Sequence, residues 1–300
     1  MKGKKYILRS AVTAFTKRGK GGITLVCLFQ SSRIIKSFQV NKAALACFKM
    51  FNGKHDLSNI ARFSKLPADE VKSFAEFLER ENIITLKKKK QKNIRYQRQL
   101  NFFDSFETKL LDSASFQMNL KSAKVAVIGL GGIGSWLAEG LTRAGIGEIL
   151  LIDPDTVTLS NLSRQSLYCE NDLGKRKVIA AKDRLLRINQ SIKVETKALN
   201  LVSVKQLLPL LKKITIVINC ADQPDISITN DIISRACHKS NIPHILCGGY
   251  DGHLSFLGQT VIPGKTSCWL CYVNNERCNK RLAQYKHLSI TKSSDEGGTL

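Results

Sequence analysis

The sequence predicts an α/β protein, a mainly parallel sheet domain preceded by a small α+β domain. Three observations carry that prediction. From Lys124 onward, short apolar strands alternate with helical stretches, the pattern of a parallel sheet with right-handed crossovers. A glycine-rich turn, Gly129-Leu-Gly131-Gly132-Ile-Gly134, joins the first of these strands to a helix, which marks the domain as Rossmann-like. Before residue 87 the pattern is different, with strand-like runs followed by helical ones. Charge follows the same division. The 300 residues carry 47 Lys and Arg against 24 Asp and Glu, a net charge of +23. Residues 1–92 hold 21 of those cations and 6 of the acids, an asymmetry that points to two modules.

The elements of the first domain, residues 1–86, follow from local signals. Apolar runs around Tyr6–Phe15, Ile23–Phe29 and Ile34–Val40 read as strands, separated by breaks such as Gly19-Lys20-Gly21-Gly22. Asn41 caps a helix carrying Ala44, Leu45, Phe48 and Met50, which Asn52-Gly53 ends. Asp56 opens a second helix, and Pro67 stands at the start of a third with Val71, Phe74, Phe77 and Leu78 on one face. The strand Ile83–Leu86 closes the unit. Helices followed by a small strand suggest a winged-helix-like arrangement. Residues 87–95, with the run Lys87 to Lys90, read as a basic linker, and residues 96–300 as the α/β domain. There the strands are expected at Lys124–Ile128, Glu148–Ile152, Lys193–Ala198, Ile214–Cys220 and His244–Cys247, with antiparallel additions at Leu254–Phe256 and Gln259–Ile262.

Composition excludes several classes. A hydrophobic content of 43% with 24% charged residues suits a chain that buries real cores, not a disordered one. The longest apolar stretch, Val125 to Ile152, is broken by Glu139, Arg143 and Glu148, short of the roughly 18 uncharged apolar residues of a membrane helix. Arg9 splits the apolar part of Met1 to Phe15, so a first strand is expected there and not a signal peptide. Nine cysteines, an odd number scattered through strand-like segments, read as reduced thiols of a cytoplasmic protein. The positive excess calls for acidic partners, among them nucleic acid and nucleotides.

The chemistry starts at the glycine turn. Glycines let a backbone approach a phosphate, and the following helix offers free N–H groups and the positive end of its dipole. Asp153 ends the next strand 19 residues beyond Gly134, where a carboxylate can bind ribose hydroxyls. Dehydrogenases, flavoproteins and methyltransferases share relatives of this fingerprint, so it indicates a nucleotide without choosing a reaction. The next segment, Asp155 through Ser160-Asn161-Leu-Ser-Arg164-Gln165 to Lys175-Arg176-Lys177, is more selective. A dehydrogenase has no need of Arg and Lys directly after the ribose acid, whereas a site that orients a triphosphate does. Asp222 then ends a strand at the carboxyl edge of the sheet, where it could hold Mg²⁺ on phosphates. Lys175 and Arg176, flanking Lys177, read as solvated. His244, on a buried-strand pattern, reads as a core residue.

Taken together these residues resemble the ThiF/MoeB/HesA family, adenylating relatives of the ubiquitin-activating enzymes. The likeness runs from Arg95-Tyr-Gln-Arg98-Gln99 through the glycine turn, Asp153-Pro-Asp155, Ser160-Asn-Leu-Ser-Arg-Gln165, Gly174 to Lys177 and Ala221-Asp222, to Pro263-Gly264-Lys265-Thr-Ser-Cys268-Trp-Leu-Cys271. It implies an ATP-dependent adenylyltransferase using Mg²⁺. Gly129, Gly131, Gly132 and Gly134 would line the nucleotide, Asp153 would bind the ribose, and Asp155 would support the polar network. Asn161, Arg164 and Lys177 would contact phosphates, Gln165 would hold the loop, and Asp222 would engage Mg²⁺. Arg98 would reach across a homodimer into the partner's site.

The resemblance also implies half of a Zn²⁺ site at Cys268 and Cys271, because relatives complete theirs with a second pair nearer the C-terminus. By that measure the adenylation domain is short at its C-terminal end. Cys278 reads as a bystander thiol. Within the family the chain is most like members that activate the C-terminal Asn of a short ribosomal peptide in microcin C-type antibiotic synthesis. The first domain would then be a peptide clamp, and its charge would attract an acidic precursor; a membrane partner is not expected and nucleic acid is no longer the first one. Two alternatives remain: an activator of a small ubiquitin-like sulfur-carrier protein, which would lack the N-terminal domain, and a nucleic-acid-binding module fused to a nucleotide sensor.

Overall fold

The computed structural model describes residues 3–19, 21–30, 32–87, 94–106, 112–248, 250–251, 254–255 and 258–278. Most of the expected linker 87–95 and the side chain of Cys278 lie outside the described residues. The chain divides into two compact units, Met1–Gln117 and Met118–Leu300. Residues 96–117, grouped by motif with the second domain, thus fall in the first unit.

In the first unit the elements run β1 (Lys5–Leu8), β2 (Val12–Gly19), β3 (Gly22–Phe29), β4 (Ile34–Val40), α1 (Lys42–Lys49), β5 (Asn52–Asp56), α2 (Leu57–Ser64), α3 (Ala68–Arg80), β6 (Ile84–Leu86) and α4 (Gln97–Phe103). Strands β2, β3 and β4 form an antiparallel meander, and β1 lies between β5 and β6, antiparallel to both. The caps are those the sequence signals. Asn41 Oδ1 accepts from Ala44 N at 2.7 Å, and Asp56 Oδ1 from Asn59 N at 2.9 Å. Leu25, Cys27, Ile60, Leu78, Ile83 and Ile84 form the centre of one apolar core.

Two expectations change here. Tyr6–Phe15 is two strands, because the chain turns at Arg9–Ala11, where Asp104 Oδ2 accepts from Ser10 N (3.1 Å) and Ser10 Oγ (2.9 Å). Asn52-Gly53 does not merely end a helix; it starts β5, with Gly53 at φ +74 beside a register shift in β1.

Helix α5 (Ser113–Ser122) leads into the second unit. There β7 (Lys124–Ile128), α6 (Gly132–Ala144), β8 (Glu148–Ile152), α7 (Lys177–Ile188), β9 (Lys193–Lys197), α8 (Val204–Leu207), β10 (Ile216–Asn219), α9 (Ile226–Lys239) and β11 (His244–Ile245) alternate. They are followed by β12 (Tyr250–Asp251), β13 (Leu254–Ser255), β14 (Thr260–Val261) and α10 (Trp269–Cys278). The sheet order is β14-β11-β10-β7-β8-β9, parallel except for β14. This is the Rossmann-like sheet expected, with β12 and β13 as a separate antiparallel pair. Both faces of β7 are buried. Val125 and Val127 pack with Ala138 of α6 and Val178 and Leu185 of α7, while Ala126 and Ile128 pack with Leu207 of α8 and Ile232 and Ile233 of α9. A continuous apolar strand with helices on both faces is what a parallel sheet requires. His244 is a core residue as expected, with Nδ1 3.1 Å from Ile242 O, Nε2 3.3 Å from Ser234 Oγ, and burial lowering its pKa.

Strand order reverses at the centre. The chain builds outward from β7 to β9, then returns to the other side of β7 with β10 and β11. Among the described residues no helix is long and apolar enough to cross a membrane. At the amino edge, Lys124 Nζ bridges Glu148 Oε1 (2.7 Å) and Glu195 Oε2 (2.9 Å), and Lys193 Nζ lies 3.0 and 2.9 Å from carboxylate oxygens of the same two acids. These side chains tie together β7, β8 and β9.

Hydrogen bonds from Lys124 and then Lys193 bring the Glu195 carboxyl down to about 2 from its ordinary 4.5. A carboxylate whose pKa is lower in the fold contributes stability above its unfolded value, and loses it as pH falls through the folded one. Glu195→Gln should therefore flatten the fall in urea midpoint between pH 4.5 and 2. An unchanged slope would show that the bridge contributes nothing.

Candidate functional site

Open α/β sheets bind ligands outside the carboxyl ends of their strands where the order reverses. Here that point lies between β7 and β10, and it is tightly built. Gly129, directly after β7, has φ +87, and a Cβ placed on it would sit 2.6 Å from Ala221 N and Cys220 C. The first turn residue thus packs against the backbone leaving β10, which no side chain would permit. A Cβ on Gly134 would lie 1.9 Å from Gly129 O, so this glycine lets α6 close onto its own strand. Gly131 and Gly132 do different work: an added Cβ at Gly131 meets nothing within 4 Å, and one at Gly132 meets Arg164 Cδ at 3.8 Å. Gly131 is also the N-cap of α6 and has no side chain to satisfy the first amides. The outer glycines close the turn, and the inner ones expose helix N–H groups to an anion.

The turn is stapled from beneath. Leu130 N donates to Asp153 Oδ2 at 2.6 Å, and Tyr168 OH donates to Leu130 O at 3.1 Å. Asp153 Oδ1 accepts from Asp155 N at 2.9 Å. Asp153 is only 4% exposed. Burial raises its pKa, opposed by those two backbone N–H groups and by Lys177. Both oxygens serve the loop, and each retains a lone pair that a ribose hydroxyl could use.

Lys177 begins α7 and is itself 5% exposed, with Nζ 2.8 Å from Asp155 Oδ2. Its backbone N donates to Asp155 O at 2.9 Å. Asp155 therefore pairs with a buried ammonium and aims it. The flanking cations are exposed but tethered: Lys175 Nζ lies 3.0 Å from Asp172 Oδ1, and Arg176 Nη1 donates to Pro154 O.

Arg164 lies against the glycine turn, as the Gly132 geometry shows. Its Nη1 donates to Ser160 O at 2.9 Å, while its own carbonyl accepts from Trp136 Nε1 at 3.0 Å. Asn161 is buried and accepts from Thr158 N through Oδ1 at 3.1 Å, closing the turn Leu159–Asn161. Gln165 is also buried; its N donates to Asn161 O at 3.0 Å, and its Oε1 is buried without a hydrogen-bond partner.

Asp222 stands on the other side of Gly129, one residue past the Ala221 amide that the turn touches. It is exposed, and among the described residues it makes no hydrogen bond or ion pair. A free carboxylate beside an anion-ready turn suits a hard cation shared with phosphate oxygens. Arg98 lies exposed on α4, in the first unit.

Cys268 and Cys271 have their Sγ atoms 3.6 Å apart, and backbone N–H groups, first that of Cys271, lower the pKa of Cys268. Two thiols are half of a tetrahedral zinc site. Among the described residues no group of three or more His, Cys, Asp and Glu could hold a metal ion.

Sequence reasoning missed Tyr168, Trp136 and a buried polar group bonded to the Ala221 backbone: Asn219, Thr229 and Asn230. None belongs to a spacing that signals chemistry. Only the polarity of Thr229 and Asn230 on the apolar face of a helix could have drawn attention to them.

Residues 96–293 match the ThiF family. The chain is 37% identical over 164 residues to the sulfur carrier protein ThiS adenylyltransferase of Bacillus subtilis, covering 53% of this chain and 46% of that protein. It is 36% identical over 157 residues to the molybdopterin-synthase adenylyltransferase of Haemophilus influenzae, covering 52% and 59%. The match thus spans about half the length of these curated relatives. Solved structures of E. coli MccB, one with ATP and one with AMPCPP and MccA, are similar to this chain with a TM-score of 0.72 at 27% identity, covering 95% of this chain and 82% of theirs.

The Tyr168 staple is testable. Tyr168→Phe leaves the Leu130 carbonyl buried without its donor, so stability should fall by about 1–3 kcal/mol. ATP affinity, read by calorimetry, should fall with it. Unchanged values of both would show that Asp153 alone fixes the turn.

Proposed function

The chain belongs to the ThiF family, and from that premise we propose that it is an ATP-dependent adenylyltransferase acting on the C-terminal carboxylate of a ribosomally made peptide. One observation favours a peptide substrate. The likeness to MccB, solved with MccA, extends over 95% of this chain, whereas the curated relatives cover about half. The role this suggests is in peptide-antibiotic synthesis of the microcin C type. Activation of a ubiquitin-like sulfur carrier is the second reading, favoured by the higher identity to the ThiS adenylyltransferase. Free thiols at Cys27, Cys47 and Cys237 suit a reducing cytoplasm.

In the proposed reaction a carboxylate oxygen of the peptide attacks the α-phosphorus of ATP. The bond from that phosphorus to the β-phosphate bridging oxygen breaks, and pyrophosphate departs with the electron pair. The α6 amides at Gly131 and Gly132 receive phosphate oxygens, and Asp153 takes the ribose. Arg164, lying over Gly132, presents its guanidinium along the phosphates. Lys177, aimed by Asp155, supplies a point charge. No side-chain nucleophile is needed, because positioning and fixed charge lower the barrier. Asp222 would hold Mg²⁺, which when bound neutralises charge on the departing pyrophosphate. The thiols of Cys268 and Cys271 take no part. In the proposed homodimer Arg98 reaches the partner's phosphates.

Asp222→Asn should abolish peptide-dependent release of pyrophosphate while leaving the urea midpoint close to that of the parent. Normal turnover by this variant would remove Asp222 from the reaction. A small sulfur-carrier protein that releases pyrophosphate where peptides do not would favour the second reading.

A further inference from the structure

Three polar side chains are buried where α9 packs on β10, amid Ile232, Ile233, Ala236 and Cys237. Asn219 ends β10, and Thr229 and Asn230 are neighbours on α9. Burying such groups is costly unless they are bonded, and residues of similar volume without polar atoms would pack there without that requirement. Their hydrogen bonds go to one another and to two stretches of backbone beside the candidate site.

Asn219 Oδ1 accepts from Ala221 N at 3.0 Å, and Thr229 Oγ1 lies 3.0 Å from Ala221 O. The same hydroxyl is 3.0 Å from Ile226 O, so its proton serves one carbonyl at a time. Asn219 Nδ2 donates to Asn230 Oδ1 at 2.8 Å and reaches Thr229 Oγ1 at 3.3 Å. Asn230 in turn takes Cys247 N and gives to Cys247 O, both at 3.0 Å. Ala221 is therefore held at its N–H and its C=O, and so is Cys247. No helix or strand spans residues 220–225. Asp222 follows directly on this anchored peptide and has no side-chain partner of its own among the described residues.

We propose that Thr229 and Asn230 are positioning residues that hold the Asp222 carboxylate where it meets a divalent cation on the triphosphate. The inference rests on the assignment of Asp222 made above. Neither residue touches substrate. Thr229 holds the Ala221 carbonyl, and Asn230, through Asn219, couples that peptide to the backbone at Cys247, two residues beyond β11.

The test uses the full chain, Mn²⁺ as the probe, and a non-hydrolysable ATP analogue, with free Mn²⁺ read by electron paramagnetic resonance. Thr229→Val keeps the shape and removes the hydroxyl; it should weaken Mn²⁺ binding by about five-fold, the equivalent of one hydrogen bond. Thr229→Ser restores the hydroxyl and should restore the affinity. Thr229→Ala takes the place of valine if the latter does not fold, with the same expectation. Mn²⁺ affinity equal to the parent's in the hydroxyl-free variant, or equally poor in the serine variant, overturns the proposal. Asp222→Asn in the same titration separates the two claims. If it loses Mn²⁺ while Thr229→Val does not, only the positioning role fails; if it binds as the parent does, the assignment of Asp222 fails first.

Discussion

The second unit depends on the approach of Gly129 to the Cys220–Ala221 backbone. Two parallel strands, β7 and β10, leave the sheet side by side, and their exits meet at a distance that excludes any side chain on the first turn residue. Because they meet, the glycine turn and the Asp222 loop form one surface. Because Gly134 is equally bare, α6 starts close enough for its free amides to face that surface. The cradle follows from the topology, since only at a switch point do two neighbouring strands send their connections in opposite directions.

Much of this was legible in the residues, and the reason is that the relevant constraints are local. A strand of five apolar residues, a turn with glycines at fixed offsets and an acid at the next strand end are each dictated within a few positions of chain. Asn41 and Asp56 were legible for the same reason, as a cap bonds to an amide three residues on. What could not be read depends on contacts distant in sequence. The break at Arg9–Ala11 depends on Asp104, 94 residues beyond Ser10. Tyr168 serves Leu130 from 38 residues away, and nothing around it differs from an ordinary buried tyrosine. Asn161 shows a subtler limit. Its place in the motif is clear, but in the fold its side-chain oxygen is spent on Thr158.

Charge divides by environment. At the amino edge of the sheet, Lys124 and Lys193 are matched by Glu148 and Glu195, so that cluster carries no net charge. Lys177 is almost wholly buried and paired with the exposed Asp155, and a buried ammonium is tolerable only with such a partner. Among the described residues the Arg164 guanidinium meets a carbonyl and the glycine turn and forms no ion pair, so its positive charge stays available there. Most of the remaining excess belongs to residues 1–92.

The carboxylates of the site show how the fold separates roles among like groups. Asp153 lies beneath the turn, and burial raises its pKa while backbone amides hold the charge in place. Asp155 faces outward with one oxygen committed to Lys177. Asp222 is exposed and uncommitted among the described residues. The cost of moving each differs. Displacing Asp153 would strand two backbone N–H groups, and displacing Asp155 would strand a buried cation. Turning Asp222 breaks no hydrogen bond or ion pair among the described residues. A group that meets a ligand must be free of internal partners and yet fixed in place. Among the described residues the Asp222 side chain is unbonded, and the peptide before it is anchored through Asn219 and Thr229, which is the arrangement the proposed role requires.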